Sequence, residues 1–273
     1  MMANKLETAS LCSDKLKIIA ISGSPGVGKS TIAKALAKKL GAHVISISEL
    51  VKKRKLGSLD RKRQTRIVDI KDLQKAVENE ITKFHKSVRL SLASRCSVII
   101  ASLHSDKIKK DLVIIIEGHM AHLLDVKRIR YIHRSETDDI TTAESFYIRI
   151  PSVKISGMLD FKKISSPCSV IILRCDPFVL EKRLKKRGWT ARKIKENILA
   201  EMLDIIPAEL AEKISSPCSA IIQNVCQIDV TNLSKEQAVD QIIKYLKNPR
   251  SYKQRRYNWL LRYSKRIKEF EFK

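Results

Sequence analysis

Apolar and polar positions along this chain fall into blocks that switch between the spacing of a buried strand and that of an amphipathic helix. Lys17 to Ile21 (KIIAI) is an apolar run of strand length, and Thr31 to Leu40 then carries Ile32, Leu36 and Leu40 at helical spacing. Val44 to Ile47 predicts a second strand. Ile67 to Phe84 predicts a helix with Leu73, Val77 and Ile81 on one face. Asp111 to Ile116 (DLVIII), ending in Glu117, and Ser169 to Arg174 (SVIILR) have the continuous apolar character of strands covered on both faces. The second of these feeds a helix through Val179, Leu180 and Leu184 that stops at Gly188, and Thr190 caps a further helix through Ile194, Ile198 and Met202. A last strand near Val225 to Val230 precedes a helix opened by the Ser234 and Gln237 capping box and carried by Val239, Ile243 and Leu246. Such alternation predicts an α/β fold, a parallel sheet flanked by helices.

Three stretches break the rhythm, at about 85–110, 126–167 and 213–224, and read as surface insertions. The organisation expected is an N-terminal extension (1–14), one domain (15–247) holding these insertions, and a basic aromatic tail (248–273). Cys96-Ser97-Val98-Ile99-Ile100 recurs as Cys168-Ser169-Val170-Ile171-Ile172 and, with alanine for valine, as Cys218-Ser219-Ala220-Ile221-Ile222. Lys-Ile-Ser-Ser-Pro precedes the last two. The unequal spacing excludes a solenoid. The segments read as a repeated surface hairpin or, preferably, as a duplicated element without function and with weak order.

Between the first strand and the first helix lies Gly23-Ser24-Pro25-Gly26-Val27-Gly28-Lys29-Ser30, which fills every fixed position of the phosphate-cradling loop. Its glycines let backbone N–H groups turn toward a phosphate, and the helix N-terminus adds partial positive charge at the same point. Lys29 would reach the β- and γ-phosphates of ATP, and the Ser30 hydroxyl would ligate Mg2+. Glu117 closes an apolar strand at the expected mouth of the sheet, where an acid can hold the water shell of that Mg2+. His119 is two residues on, placed to orient or activate an attacking water, or else to serve the structure alone. His122 completes a Glu-x-His-x-x-His pattern whose spacing is not that of a zinc helix.

Charge changes the picture of partners. The chain has 273 residues, with 54 Lys and Arg against 29 Asp and Glu, for a net charge of +25. A field of that sign favours polyanions such as RNA, or else reflects a solvated surface. No apolar run is long enough to span a bilayer and the N-terminal segment is too polar for a signal peptide, so a cytoplasmic protein with no membrane partner is expected. The six cysteines, Cys12, Cys96, Cys168, Cys175, Cys218 and Cys226, show no metal-binding spacing and read as reduced thiols. Basic residues cluster around Gly188-Trp189, where Arg187, with Arg183 and Arg192 behind it, is the candidate to close over a transferring phosphoryl group. Lys52 to Lys55, Arg61, Lys62, Arg63 and Arg66 would grip an acceptor phosphate or form only a basic loop. In the tail, Tyr252, Tyr257, Trp259 and Tyr263 among arginines suit either base stacking or packing on the domain, with Trp259, Leu260, Tyr263 and Ile267 on one helical face.

The phosphate loop, Glu117-Gly118-His119-Met120-Ala121-His122-Leu123-Leu124, and Leu173-Arg174-Cys175-Asp176-Pro177 leading to Arg187-Gly188-Trp189 together carry a family resemblance. Over a little more than half its length the chain resembles the archaeal atypical adenylate kinases linked to small-ribosomal-subunit maturation, whose eukaryotic relatives are nuclear adenylate kinases. The resemblance implies a P-loop NTPase fold of adenylate-kinase type with a five-stranded parallel sheet, a nucleoside-monophosphate region about Ser46 to Asp69 and a short lid about Arg187 to Asn197. It places Gly26, Gly28, Lys29, Ser30 and Thr31 on the ATP loop, Arg187 at the first lid position, and Glu117 and His119 on the acid-x-His motif. It implies a broad nucleoside-monophosphate kinase, using AMP or another monophosphate, with ATPase activity. It also implies work with a small-subunit ribosomal protein on the pre-ribosomal small subunit, near the 3′ end of 16S rRNA. The stretches between Phe84 and Asp111 and between Leu124 and Ser169 depart from the family pattern, in which the flanking segments are nearly continuous. Two other classes stay compatible with the residues: an NTP-driven ribosome-assembly switch without significant kinase activity, and a non-enzymatic RNA-binding protein.

Overall fold

Strand β1 (Lys17–Gly23) is buried along its whole length because it lies between two other strands and under helices on both faces. In a computed structural model that describes residues 16–61, 65–99, 112–126, 128–129, 168–215, 224–252 and 257–265, with backbone alone for 89–99, it pairs in parallel with β5 (Val113–Glu117) and β6 (Cys168–Arg174). Strands β2 (His43–Ser46) and β7 (Val225–Asp229) complete a five-stranded parallel sheet in the order β2-β5-β1-β6-β7. The chain moves from β1 toward one edge and returns to build the other, so the order reverses beside β1. In open parallel sheets that is where a crevice forms at the carboxyl ends of the strands.

Successive strand residues face opposite ways, and each half finds its own helices. Ile19, Ile21, Ile115 and Leu173 pack against α1 (Lys29–Leu40), α4 (Pro177–Lys186), α5 (Ala191–Met202) and α7 (Lys235–Lys247). Ile18, Ala20, Ile114, Ile116 and Ile172 pack against α2 (Ile47–Lys53), α3 (Ile70–Ile99) and α6 (Ile205–Ser215). Each fully buried Ile or Leu contributes about 1.5–3 kcal/mol of transfer free energy. These two layers of contacts make the sheet the rigid base of the crevice. Between α2 and α3 an antiparallel hairpin, β3 (Ser58–Asp60) and β4 (Thr65–Ile67), projects from the sheet edge with Leu59 and Ile67 exposed.

Several elements differ from the sequence expectation. Ile47 opens α2 after the extended Ser46, instead of ending β2, because its side chain is buried among the helices below the sheet. Ile67 pairs with Ser58 in β4, so α3 starts only at Ile70, and with no glycine or proline to interrupt it runs past Phe84 to Ile99. Helix α6 has no counterpart in that expectation: Pro207 reads as a breaker but sits in its first turn, where a missing N–H costs nothing. The weak order expected of the repeated pentapeptide is corrected at Cys168–Ile172, which opens the interior strand β6 and is entirely buried. The Cys96 copy ends α3, with Ile100 outside the described residues, as are the Cys218 copy and residues 1–15, 100–111 and 130–167.

The tail packs on the domain. Short helix α8 (Trp259–Arg262) buries Trp259 in the core, Tyr263 meets Phe178 edge-on at 4.7 Å and its hydroxyl bonds Asp176, and Arg262 lies over the Trp259 ring at 5.6 Å. Leu260, expected on that apolar face, is 41% exposed, since the helix is one turn long and turns it outward. Ile267 lies outside the described residues.

One charged pair is built into this core. Arg174, at the end of β6 and 1% exposed, donates from Nε to Glu201 of α5, 3% exposed, at 2.7 Å, and from its other nitrogens to Gln227 and Asp204. Glu201 also accepts from Ser24 Oγ in the phosphate loop and from the Cys175 amide. Removing one member of such a pair strands the other charge in a low-dielectric interior. Glu201→Ala is expected to lower the free energy of unfolding by about 3–5 kcal/mol. Urea unfolding of the two proteins measures this, and a loss below about 1 kcal/mol would mean that water reaches Arg174.

Candidate active site

The register of the central strands places the site. Ile21 of β1 is opposite Glu117 of β5, and the Gly118 amide donates to the Ile21 carbonyl at 3.1 Å, so the loop after β1 and the acid after β5 leave the sheet at one level. Gly23 is where the loop begins: its φ is +145°, and a Cβ there would lie 2.5 Å from the Leu173 carbonyl oxygen of β6. Only glycine allows that approach. At the other end Gly28, with φ +103°, turns the chain into α1. The first turn of α1 contains no acidic residue of its own, so its partial positive charge is uncompensated from within the helix.

Lys29 is half-buried and folds back over the loop, donating from Nζ to the carbonyls of Gly23 at 2.8 Å and Ser24 at 3.0 Å. Burial pushes its pKa down to about 8, with Glu117 opposing and Arg187 assisting the shift. Ser30, exposed at the start of α1, donates from Oγ to Glu117 Oε2 at 3.1 Å. Glu117 itself is 3% exposed. A hydroxyl and a carboxylate at this separation are the hard oxygen donors that a Mg2+ ion takes alongside phosphate oxygens and water. Among the described residues no group of three or more His, Cys, Asp and Glu side chains could hold a metal by itself.

His119 stands at the mouth of the crevice with its ring exposed. Surrounding protein atoms first, then the Lys29 and His122 charges, push its pKa down, to about 4. Solvent on its open face moderates the burial effect, but the direction alone keeps the imidazole neutral at pH 7. Such a ring is suited to accepting a hydrogen bond from water more than to removing a proton outright. Arg187 ends α4 as an exposed residue whose charge is felt at Lys29. Thr31 is exposed beside Ser30, and with Gly26, Gly28, Arg183, Leu233 and Lys235 it lines a cavity of about 250 Å³ on the outer side of the loop. The loop, the acid and the histidine named from the sequence thus leave the sheet at one crevice, and Arg187 stands near enough for its charge to reach Lys29.

Other basic residues have different employment. Arg183 does not stand behind Arg187; it ties the loop to the sheet, donating to the carbonyls of Val27, Val230 and Thr231. Arg192 pairs with Glu196 one turn on along α5. Arg54 and Lys53 pair with Glu80, and Arg66 fills the carbonyls of Lys55, Leu56 and Gly57, whereas Lys52, Lys55 and Arg61 are exposed. Lys62 and Arg63 lie outside the described residues. Sequence reasoning missed Ser22, Ser24, Glu201 and Glu209 and gave His122 little weight, since their partners come from elements far apart in the chain. A buried serine just before the loop glycine and carboxylates on otherwise apolar helix faces were the available signals.

No helix among the described residues is long and apolar enough to cross a membrane. Cys168, Cys175 and Cys226 are free and buried. Residues 19–204 match the family described as AAA domain. A protein of Methanocaldococcus jannaschii named "Putative adenylate kinase" is 30% identical over 236 residues, 86% of this chain and 89% of that one. One of the same name from Archaeoglobus fulgidus is 28% identical over 93% of this chain and 97% of its own. Among solved structures, shikimate kinase of Acinetobacter baumannii in complex with shikimate aligns over 88% of this chain and 97% of its own, at 12% identity and a TM-score of 0.40. With phosphate loop, acid and sheet order in place, the chain belongs to the AAA-domain family and to that of these archaeal proteins named as adenylate kinases.

Proposed function

We propose that this protein is a nucleoside-monophosphate kinase of adenylate kinase type with ATPase activity, and that it works in small-ribosomal-subunit and 16S rRNA maturation in the cytoplasm. The observation that carries the enzymatic part is the contact of Ser30 with Glu117 at 3.1 Å directly beside Lys29. The names of the archaeal relatives support the same reaction class. The ribosomal part rests on the family resemblance and on the +25 charge, which suits rRNA and a small-subunit ribosomal protein as partners.

In this reading the phosphates of ATP lie on the amides of Gly26 and Gly28, and its nucleoside lies in the cavity by Thr31 and Arg183. A Mg2+ ion held through Ser30 and Glu117 would neutralise charge on the phosphate oxygens. Lys29 leaves its loop carbonyls for the β- and γ-phosphates, and Arg187 closes from the end of α4 over the equatorial oxygens. The acceptor AMP, or another monophosphate, lies toward the hairpin, where exposed Lys52, Lys55 and Arg61 meet its phosphate. Transfer is in line between the two nucleotides, with no covalent enzyme intermediate. When no acceptor is bound, His119 orients water in its place and ATP is hydrolysed.

With ATP and Mg2+, addition of AMP is expected to give two ADP per ATP consumed with little inorganic phosphate, and Lys29→Ala to lower both reactions by about 10²–10³-fold. Phosphate release indifferent to AMP would favour the assembly ATPase, and no turnover a binding protein. His119→Ala is expected to slow phosphate release by about 10²-fold while leaving transfer to AMP nearly intact; equal losses in the two assays would refute its role with water. Lys29 is charged below its pKa of about 8 and neutral above it, so kcat/KM for ATP, which reports the free enzyme, should fall as pH rises through that value. Lys29→Arg should abolish that alkaline limb in a pH profile, whatever its residual rate.

A further inference from the structure

Behind His119 runs a chain of hydrogen bonds, buried at Ser22 and His122, that the proposed reaction does not use directly. Ser22, fully buried one residue before the loop glycine, donates from Oγ to the His119 carbonyl at 2.8 Å and lies 2.9 Å from His122 Nδ1. His122, 1% exposed, meets Glu209 Oε2 of α6 with its other nitrogen at 2.8 Å. Four residues on, Lys213 donates to the Leu123 carbonyl at 2.6 Å, so one face of α6 holds the turn after His119.

The count of hydrogens gives this chain a direction. A hydroxyl has one to donate. With that of Ser22 on the His119 carbonyl, the hydrogen between Ser22 and His122 belongs to Nδ1, and Glu209 is the group that faces the other ring nitrogen, Nε2. If His122 carried its only hydrogen on Nε2, Ser22 would have to turn its own toward Nδ1 and release the His119 carbonyl. The group facing Nε2 therefore decides how the His119 peptide is held. Ser22 is too buried to attack a substrate.

We propose that Glu209, His122 and Ser22 are positioning residues that set the backbone of His119 from helix α6. The proposal rests on His119 acting at the crevice, as in the function proposed above. It gives α6 a further part: only Leu203 and Asp204 separate it from α5, which is capped by Thr190 just beyond Arg187, and Asp204, at a positive φ of 54°, is fastened to Arg174. The segment that carries the closing arginine is thus continuous with the helix that holds the water-orienting histidine.

The test combines an NMR readout with kinetics. The Met120 amide belongs to the peptide whose carbonyl Ser22 holds. Its resonance is expected to shift in Ser22→Ala and in Glu209→Ala, and to return toward the native position in Glu209→Gln, whose carboxamide can donate to Nε2 and keep the hydrogen on Nδ1. Glu209 is 44% exposed, so its variants should fold, and thermal unfolding checks this. In turnover assays each alanine variant is expected to lower kcat for phosphate release about tenfold, with KM for ATP within about twofold and transfer to AMP little changed. The double variant Ser22→Ala/Glu209→Ala should lose no more than either single one, because both break the same chain. An unmoved Met120 amide in Glu209→Ala, or losses that multiply in the double variant, would overturn the relay. Native protein without turnover would instead overturn the functional reading, while the Met120 shift would still decide the relay.

Discussion

The pairing of β1 between β5 and β6 is the constraint on which the crevice depends. It fixes where three chain segments leave the sheet: Gly23 toward the phosphate loop, Glu117 toward His119, and Arg174 toward α4. A slip of one residue would turn the inward faces of Ile19 and Ile21 outward and carry Glu117 away from Ser30 at the same time. Burial on both faces of β1 makes such a slip costly, so the apolar core and the position of the acid are the same fact. Gly23 adds a steric condition, since the backbones of β1 and β6 converge there too closely for any side chain.

On the other side of the crevice, two successive helices grip the loop and the acid segment through one carboxylate each. Glu201 of α5 holds Ser24, and Glu209 of α6 reaches His122. Both carboxylates come after Arg187 in the chain. Arg174 anchors the joint between the two helices at Asp204 and accepts the field of Glu201, which makes its burial tolerable. The crevice is therefore lined by the sheet's carboxyl ends and braced from outside by elements that begin beside Arg187.

Much of this is legible in the sequence because the signals are local. The loop glycines, Lys29 and Ser30 are adjacent, and Glu117 and His119 come directly after an apolar strand; the alternation of strand and helix points to the parallel sheet. The features that escape are decided by distant partners. Ser22 and His122 look like ordinary core positions until β1 is laid against β5, and Glu201 and Glu209 look like surface acids until Arg174 and His122 meet them. Arg183 and Arg66 resemble phosphate ligands in the sequence because a run of cations does not say which of them will be taken up by backbone carbonyls. Pro207 hides α6, since only the position of a helix start tells whether a proline lies in its first turn.

The pentapeptide shared by the end of α3 and the start of β6 carries a lesson for how the chain finds its fold. Cys-Ser-Val-Ile is helix in one place and interior strand in the other, so its own propensity settles neither outcome. The two copies differ in the residues that come next: Ala101-Ser102 after one, Leu173-Arg174 after the other. Of these two, only the second brings a guanidinium to the carboxylate on α5, so two segments of identical sequence are told apart in the native fold by the buried ion pair that follows one of them.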